Sequence, residues 1–377
     1  MEINDLLAEA VRDGASDLHI KVGSPPIFRI NGALKFREGA QSILQDESMR
    51  LAFSVMTQAQ RETFKKEGDL DFAYSVKGLG RFRCNAFMQR GTIGLVLRVI
   101  PTKIPTIDEL TLPPVIKKLA LEERGLILVT GTTGCGKSTT LAAMIDHINS
   151  TKRVNIVTIE DPVEYAHRDR KSLLNQREVG ADTKSFSKAL RSSMRQDPDV
   201  ILVGEMRDFD TIQTALMAAE TGHLVLSTLH TLDASETVNR IVSFFPPYHQ
   251  QQVRIQLASI LRGIISLRLL PRADGTGRVP AVEALIATAT IKDCITDQEK
   301  TALIHDFIEQ GKELYGMQTF DQSLLELYGC GLITLEEARR QASRPDDLLL
   351  KVKGVHNTKE MFDQHKDGSM DIERFSR

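Results

Sequence analysis

The sequence predicts an α/β protein whose first hundred residues form a separate α+β domain, and three observations carry that expectation. From residue 116 onward, apolar β-rich runs alternate with helical stretches: "GLILVT", a helix over 137–149, "NIVTIE", a helix over 184–195, "DVILVG", a helix over 209–221 and "HLVLSTLH". Strands separated by helices at this spacing predict a parallel sheet covered on both faces, because a parallel crossover needs a dozen or more residues to return. Before residue 100 the rhythm differs. An acidic amphipathic helix leads to "DLHIKV" and "PIFRING", two helical stretches around 46–66, and then "DLDFAYSV", "GRFRCNAFMQ" and "TIGLVLRVI" with turn glycines between them. Short strands joined by tight turns predict an antiparallel sheet with helices on one side. Third, "PTKIPTIDELTLPP" separates the two, with Pro101, Pro105, Pro113 and Pro114 stiffening a connector.

Beyond 248 the chain reads as helical, with a β-rich interlude near "RVPAVEAL". The expected divisions are therefore 1–100, a linker at 101–115, a sheet domain at 116–290, a helical region at 291–350 and a polar tail at 351–377. In that tail "DQHKDGSMDIER" begins like a calcium loop at Asp363. Its twelfth position is Arg374, where a bidentate Glu is needed, so a solvated charged tail is the better reading.

Bulk properties narrow the function. The 377 residues are 41% hydrophobic, ordinary for a soluble chain of two or three domains. A net charge of -2 and the absence of Trp give neither a polycationic surface nor an advertised stacking platform, so nucleic acid is not expected as a partner. Cys84, Cys135, Cys294 and Cys330 form no CxxC pair, which argues against zinc and against a disulfide framework and fits a reducing cytoplasm. "MEINDLLAEAVRDG" does not read as a signal peptide, and Arg262 and Arg268 interrupt the apolar run "ILRGIISLRLL", so any membrane role is expected to be peripheral.

The chemistry is announced by "LILVTGTTGCGKSTTLAAMIDHI". Gly131, Gly136, Lys137 and Ser138 fit G-x-x-x-x-G-K-[ST], after an apolar strand and before a helix former, which is the context a phosphate-binding loop requires. Over Gly131, Thr132, Thr133, Gly134, Cys135, Gly136, Lys137, Ser138 and Thr139 the backbone N–H groups are expected to turn inward as an anion nest at a helix N-terminus. Lys137 is expected to reach the β- and γ-phosphates and Ser138 to ligate Mg²⁺. Cys135 is read as a filler residue rather than an activated thiol.

Four further features accompany the loop. "VTIEDPVEY" brings Glu160, Asp161 and Glu164 after a β-run, where a carboxylate could direct the attacking water. "DPDVILVGEMRD" is an apolar strand ending in Glu205, a candidate to hold Mg²⁺ directly or through water. Arg195 before it and Arg207 after it are candidates to neutralise transition-state charge, or else to make salt bridges at helix ends. "TGHLVLSTLHT" frames a strand with His223 and His230, which read either as satisfied histidines or as γ-phosphate sensors, their spacing being wrong for a metal pair.

Taken in order, "GTTGCGKST", "TIEDPVEY", "LRSSMRQDPDVILVGEMRD" and "AAETGHLVLSTLHT" resemble the Walker A, Asp box, Walker B and His box of the secretion-superfamily ATPases that drive type IV pili. "GASDLHIKVGSPPIFRINGAL" and "GLGRFRCNAFMQR" are similar to the retraction, or twitching-motility, branch represented by PilT and PilU, and the likeness extends to about residue 350. The resemblance implies a cytoplasmic homohexameric ring lying at the inner face of the inner membrane. Each subunit would join a PAS-like N-terminal domain to a RecA-like P-loop ATPase domain with a helical C-terminal part, ATP and Mg²⁺ being bound between them. It implies a platform protein of the pilus, and a sister retraction ATPase, as partners. By resemblance Lys137 and Ser138 contact phosphate and Mg²⁺, Glu164 is the catalytic carboxylate, Glu205 the Walker B acid, and His223 and His230 the His box. Arg81, Arg83 and Arg98 are weaker candidates for reaching the nucleotide. One departure stands out: where principal retraction motors carry Ala-Ile-Arg-Asn-Leu-Ile-Arg-Glu, this chain has "TIKDCITD" at 290–297. "GMQTFDQSLLELY" and "SRPDDLLLKVKG" are closer to the accessory, PilU-type members. The four-cysteine zinc element usual in the assembly ATPases of the same superfamily is missing from the sequence, which counts against that branch.

Overall fold

The structure, a computed structural model, describes residues 2–354 apart from 31, 38 and 102, so the calcium-like segment starting at Asp363 lies outside the described residues. The chain forms two compact units, each built from two separate stretches: Met1–Pro105 with Ile148–Gly204, and Thr106–His147 with Glu205–Arg377.

The first unit opens with α1 (Ile3–Arg12), whose Ile3, Leu6, Leu7 and Ala10 repeat at helical spacing and are all buried. β1 (Ala15–Ile20), β2 (Ile27–Ile30) and β3 (Ala33–Phe36) follow, then α2 (Gln45–Ser54) and α3 (Gln58–Glu67). The start of α3 is fixed by a capping box between Thr57 and Gln60, and its end by Gly68 in the left-handed region at φ 78°. β4 (Asp69–Val76), β5 (Gly80–Gln89) and β6 (Thr92–Ile100) complete an antiparallel sheet ordered β3-β2-β1-β6-β5-β4. Leu18, Phe82, Leu95 and Leu97 are fully buried between this sheet and the helices.

After α4 (Val115–Ala120) come β7 (Gly125–Thr130), α5 (Lys137–Thr151), β8 (Asn155–Glu160), β9 (Leu173–Glu178), α6 (Phe186–Ser193), β10 (Val200–Val203), α7 (Phe209–Glu220) and β11 (Leu224–Leu229). The chain continues through α8 (Ala234–Ser243) and α9 (Pro247–Ile260) into β12 (Leu261–Pro271) and β13 (Arg278–Ile286). It then runs through α10 (Ala289–Thr296), a 3-10 turn at Gln298–Leu303, α11 (Ile304–Gln310), α12 (Lys312–Tyr315), α13 (Phe320–Gly329), α14 (Leu335–Gln341) and α15 (Pro345–Val352).

The second sheet has the order β13-β12-β7-β11-β10-β8-β9. β7 is flanked in parallel by β11 and β12, with Thr130 opposite Leu229 on one side and Ser266 on the other. β7 and β11 are buried at every position, which is why they read as unbroken apolar runs rather than as alternating ones. The helical chain expected beyond 248 is present as α9 and again from α10 onward, but two strands interrupt it. β12 is not among the strands expected from sequence, because a mostly apolar stretch joined directly to a helix shows no period of its own. It turns back on β13 as an antiparallel hairpin that sets Ser266 opposite Glu283.

Candidate nucleotide site

The glycines of the 131–139 loop have a steric reason. Gly131, Gly134 and Gly136 take φ of 135°, 78° and 100°, a region that side chains rarely enter. A Cβ on Gly131 would lie 2.5 Å from the Leu267 carbonyl and 2.6 Å from the Cys135 sulfur. These left-handed turns aim successive N–H groups to one side at the N-terminus of α5, a fifteen-residue helix whose dipole favours an anion there. Lys137 Nζ donates to the carbonyls of Gly131 at 2.7 Å and Thr132 at 3.0 Å, so its ammonium lies over the loop. Thr132, Thr133 and Gly134 are exposed, Ser138 and Thr139 partly so, and Cys135 is buried. Burial holds the Cys135 thiol above its ordinary pKa, outweighing the pull of Lys137, which fits a filler residue.

A cluster of charge closes on this loop within the same unit. His230, directly after β11, has Nδ1 at 3.5 Å from Lys137 Nζ and Nε2 at 3.7 Å from Glu205. Glu205, just past β10, is also held by Arg207 Nε at 2.5 Å. The Arg207 side chain is 69% exposed against 12% for Glu205, so the arginine reaches in from solvent to brace the acid. Lys137, His230, Glu205 and Arg207 are thus one constellation. The residues suit a magnesium ion, which keeps water and phosphate oxygens as most of its ligands and asks the protein for a hydroxyl and one or two carboxylates. Ser138 and Glu205 are side chains of those two types beside the loop, and among the described residues no group of three His, Cys, Asp or Glu side chains offers a metal cage.

His223 stands elsewhere. It precedes β11, at the end where Leu224 pairs with Gly125, and six strand residues, about 20 Å, separate it from His230. Its Nδ1 lies 2.9 Å from the Ala218 carbonyl at the end of α7.

Glu160, Glu164, Arg195, Arg81, Arg83 and Arg98 belong to the other unit. Glu160 closes β8 and accepts hydrogen bonds from Thr158 Oγ1 at 2.6 Å and Gln176 Nε2 at 3.1 Å. Burial raises its pKa against those hydrogen bonds and the backbone N–H of Glu164, while the charge of Glu164 raises it further. Gln176 also donates to the Tyr165 carbonyl at 2.9 Å, so the segment between Glu160 and Tyr165 is pinned at both ends. Glu164, within it, is exposed. A half-buried Glu160 that accepts two side-chain hydrogen bonds braces the segment, whereas Glu164 is the exposed carboxylate that a substrate could meet. Arg195 is exposed just past α6. Arg81 pairs with buried Glu178 at 2.8 Å, and Glu178 also accepts the Val163 N–H at 3.2 Å. Arg98 pairs with Asp17 at 2.9 Å; burial acts to raise the Asp17 pKa, but hydrogen bonds from Arg98 and Ser16 overcome it and hold the carboxyl low. Arg83, on β5 between them, is exposed.

The sequence matches the family of type II/IV secretion system proteins over residues 1–341. The chain belongs to that family. Within the secretion ATPases it is 46% identical over 347 residues to the type IV pilus retraction ATPase PilT of Pseudomonas aeruginosa, covering 92% of this chain and all of PilT. It is 44% identical over 354 residues to the type IV pilus ATPase PilU of the same organism, covering 94% of this chain and 92% of PilU. Its fold superimposes on a crystal structure of the pilus retraction motor PilT with bound ADP at a TM-score of 0.85, with 48% identity, over 92% of this chain and 98% of that one. A loop of this geometry is what a secretion-family member needs to hold a nucleotide.

Three groups carry no role in the expectations from sequence: half-buried Gln176 and buried Glu178 and Glu283. The first two lie in "LLNQREVG", a β9 too polar to announce itself as a strand. Glu283 had a visible signal, a lone acid inside the apolar run "RVPAVEAL".

Proposed function

We propose that this chain is a motor ATPase that hydrolyses MgATP to retract type IV pili. One observation carries the reading: a phosphate loop with three left-handed glycines and Lys137 over its mouth, in a chain that aligns with the whole length of a pilus retraction ATPase. Lys137 and the N–H groups from Gly131 to Thr139 bind the phosphates. Ser138 and Glu205 would hold magnesium, which when bound would supply neutralising charge to the phosphates. Arg207 and His230 set the position of Glu205, and His230 lies where it would sense the γ-phosphate. Glu164 orients the attacking water, and Arg195 neutralises developing charge on the phosphoryl group. Arg81, Arg83, Arg98 and His223 complete the set as candidates whose part is conformational rather than chemical. The active form is a homohexamer, cytoplasmic and peripheral at the inner face of the inner membrane, pulling on a platform protein of the pilus.

A second reading is favoured by "TIKDCITD". Here α10 is held by Gln251, which donates to the Thr296 carbonyl at 3.3 Å, and by buried Arg254, which donates to that of Ile295 at 3.0 Å, and it lacks the arginines of the principal motors. In this reading the chain is an accessory ring that assists a sister retraction ATPase.

Steady-state MgATP hydrolysis by the purified chain tests the site. Lys137→Ala and Glu164→Gln are each expected to lower kcat by at least about a hundredfold. Normal turnover in Glu164→Gln would remove the assigned carboxylate, and normal turnover in Lys137→Ala would remove the site. Deletion in the native cell decides the role: loss of twitching supports the principal motor, whereas loss only in the absence of a sister ATPase supports the accessory one.

A further inference from the structure

Behind the phosphate loop, away from the charged cluster, lies a carboxylate to which the reading above gives no task. Glu283 is 3% exposed on β13. Its Oε1 accepts the backbone N–H of Ala234 at 2.9 Å, the first residue of α8, and lies 3.5 Å from Ser266 Oγ on β12. Ser266 Oγ in turn accepts from Thr130 Oγ1 at 3.0 Å, and Thr130 is the residue before Gly131. From Ala234 the chain runs back through Thr231, whose Oγ1 lies 2.6 Å from that of Thr237, to His230 beside Lys137. The contacts therefore close a ring: Lys137, Gly131, Thr130, Ser266, Glu283, Ala234, His230 and back to Lys137. A buried acid is costly, and here hydrophobic residues fill the positions around it on β12 and β13.

We propose that Glu283 is a positioning residue of the nucleotide site, one that clamps the segment carrying His230 to the phosphate loop through Ala234 and the Ser266–Thr130 hydroxyl pair. The inference rests on the reading of that loop as an ATPase site. An ionised carboxylate makes the stronger clamp, because a charged acceptor shortens and strengthens both bonds. Burial, the largest influence, holds the Glu283 pKa up at about 7; Asp233 at the start of α8 adds to this, while the Ala234 N–H, Arg268 and Ser266 oppose it. Other elements packed on β13 contribute less directly. α13 supplies Ser323, which accepts the Val282 N–H, and Asp321, which acts on Arg268; α11 buries Ile304 and Ile308. The clamp therefore tightens as pH rises through about 7.

The test is MgATP hydrolysis by the full chain between about pH 6 and about pH 9, with thermal melting as a check of folding. In the wild type kcat is expected to rise through a midpoint near 7. Glu283→Gln keeps an acceptor for Ala234 but never a charge, so its kcat is expected to be flat and about tenfold below wild type at the upper end, with KM for ATP within about threefold. Ser266→Ala removes a bond that favours the ionised form and is expected to move the midpoint upward, a sign that general loosening of the fold does not produce. A wild-type profile in Glu283→Gln, or an unmoved or lowered midpoint in Ser266→Ala, overturns the inference. If Glu283→Gln does not fold, the midpoint of Ser266→Ala decides alone. Lys137→Ala separates the two levels. Should it hydrolyse normally, the site reading falls and the clamp with it; should it be inactive while Glu283→Gln titrates as wild type, only the clamp falls.

Discussion

Glu283 sets function against stability in a single side chain. An ordinary carboxyl titrates near 4.5 and this one near 7, so between those values the folded chain keeps a proton that the unfolded chain has released. Its stabilising contribution is fully present below the lower value and lost as pH rises through the upper one. The difference amounts to about 3 kcal/mol. Glu283→Gln is therefore expected to stabilise the protein at about pH 8 and to leave it unchanged at about pH 5, as read from urea midpoints. A variant equally stable or less stable at both pH values would show that the buried carboxyl carries no such cost. His167 acts in the opposite sense, since burial, with Arg170, lowers its pKa to about 4 and its contribution is lost as pH falls. That term is common to wild type and variant, so it cancels in the comparison.

At the scale of elements, β12 is the strand on which the site leans. It lies between β7 and β13, and its Leu267 carbonyl is the atom that forbids a Cβ on Gly131. Ile264 and Ile265 are fully buried. Truncating one of them leaves a cavity that two paired neighbours cannot close, so Ile265→Ala is expected to cost about 2–5 kcal/mol and Ile265→Val about 0.5–1.5 kcal/mol. Urea unfolding of the pair measures this, and equal small losses would mean that the strand yields around the cavity. Other elements were legible because their signals are local. α5 begins at the residue after the last glycine of a phosphate loop, and β4, β5 and β6 each match a β-rich run bounded by turn residues. β9 and β12 had no such local mark. β9 is polar because it ends the sheet, and β12 is continuous with α9.

At the scale of the molecule, the chain leaves Met217, Leu232, Tyr248, Ile255 and Leu314 exposed in the unit that carries the phosphate loop. Large apolar side chains on a surface suit an interface, and in the proposed ring a second copy of this chain would cover them. Light scattering of the purified protein with MgADP is expected to give a mass six times that of one chain. A monomer at micromolar concentration would exclude the ring. No helix among the described residues is long and apolar enough to cross a membrane.

The sequence by itself determined the order of the strands and helices other than β9 and β12, the phosphate loop and the acids and histidine that follow successive strands, because each depends on residues close together along the chain. Only the tertiary structure decided which of them meet. It brought His230, Glu205 and Arg207 to Lys137 and set Glu283 opposite Ser266 across a hairpin. Those outcomes depend on strand register and on burial, which are fixed by packing between segments distant in the chain, as far apart as Lys137 and His230, and leave no mark in any local window.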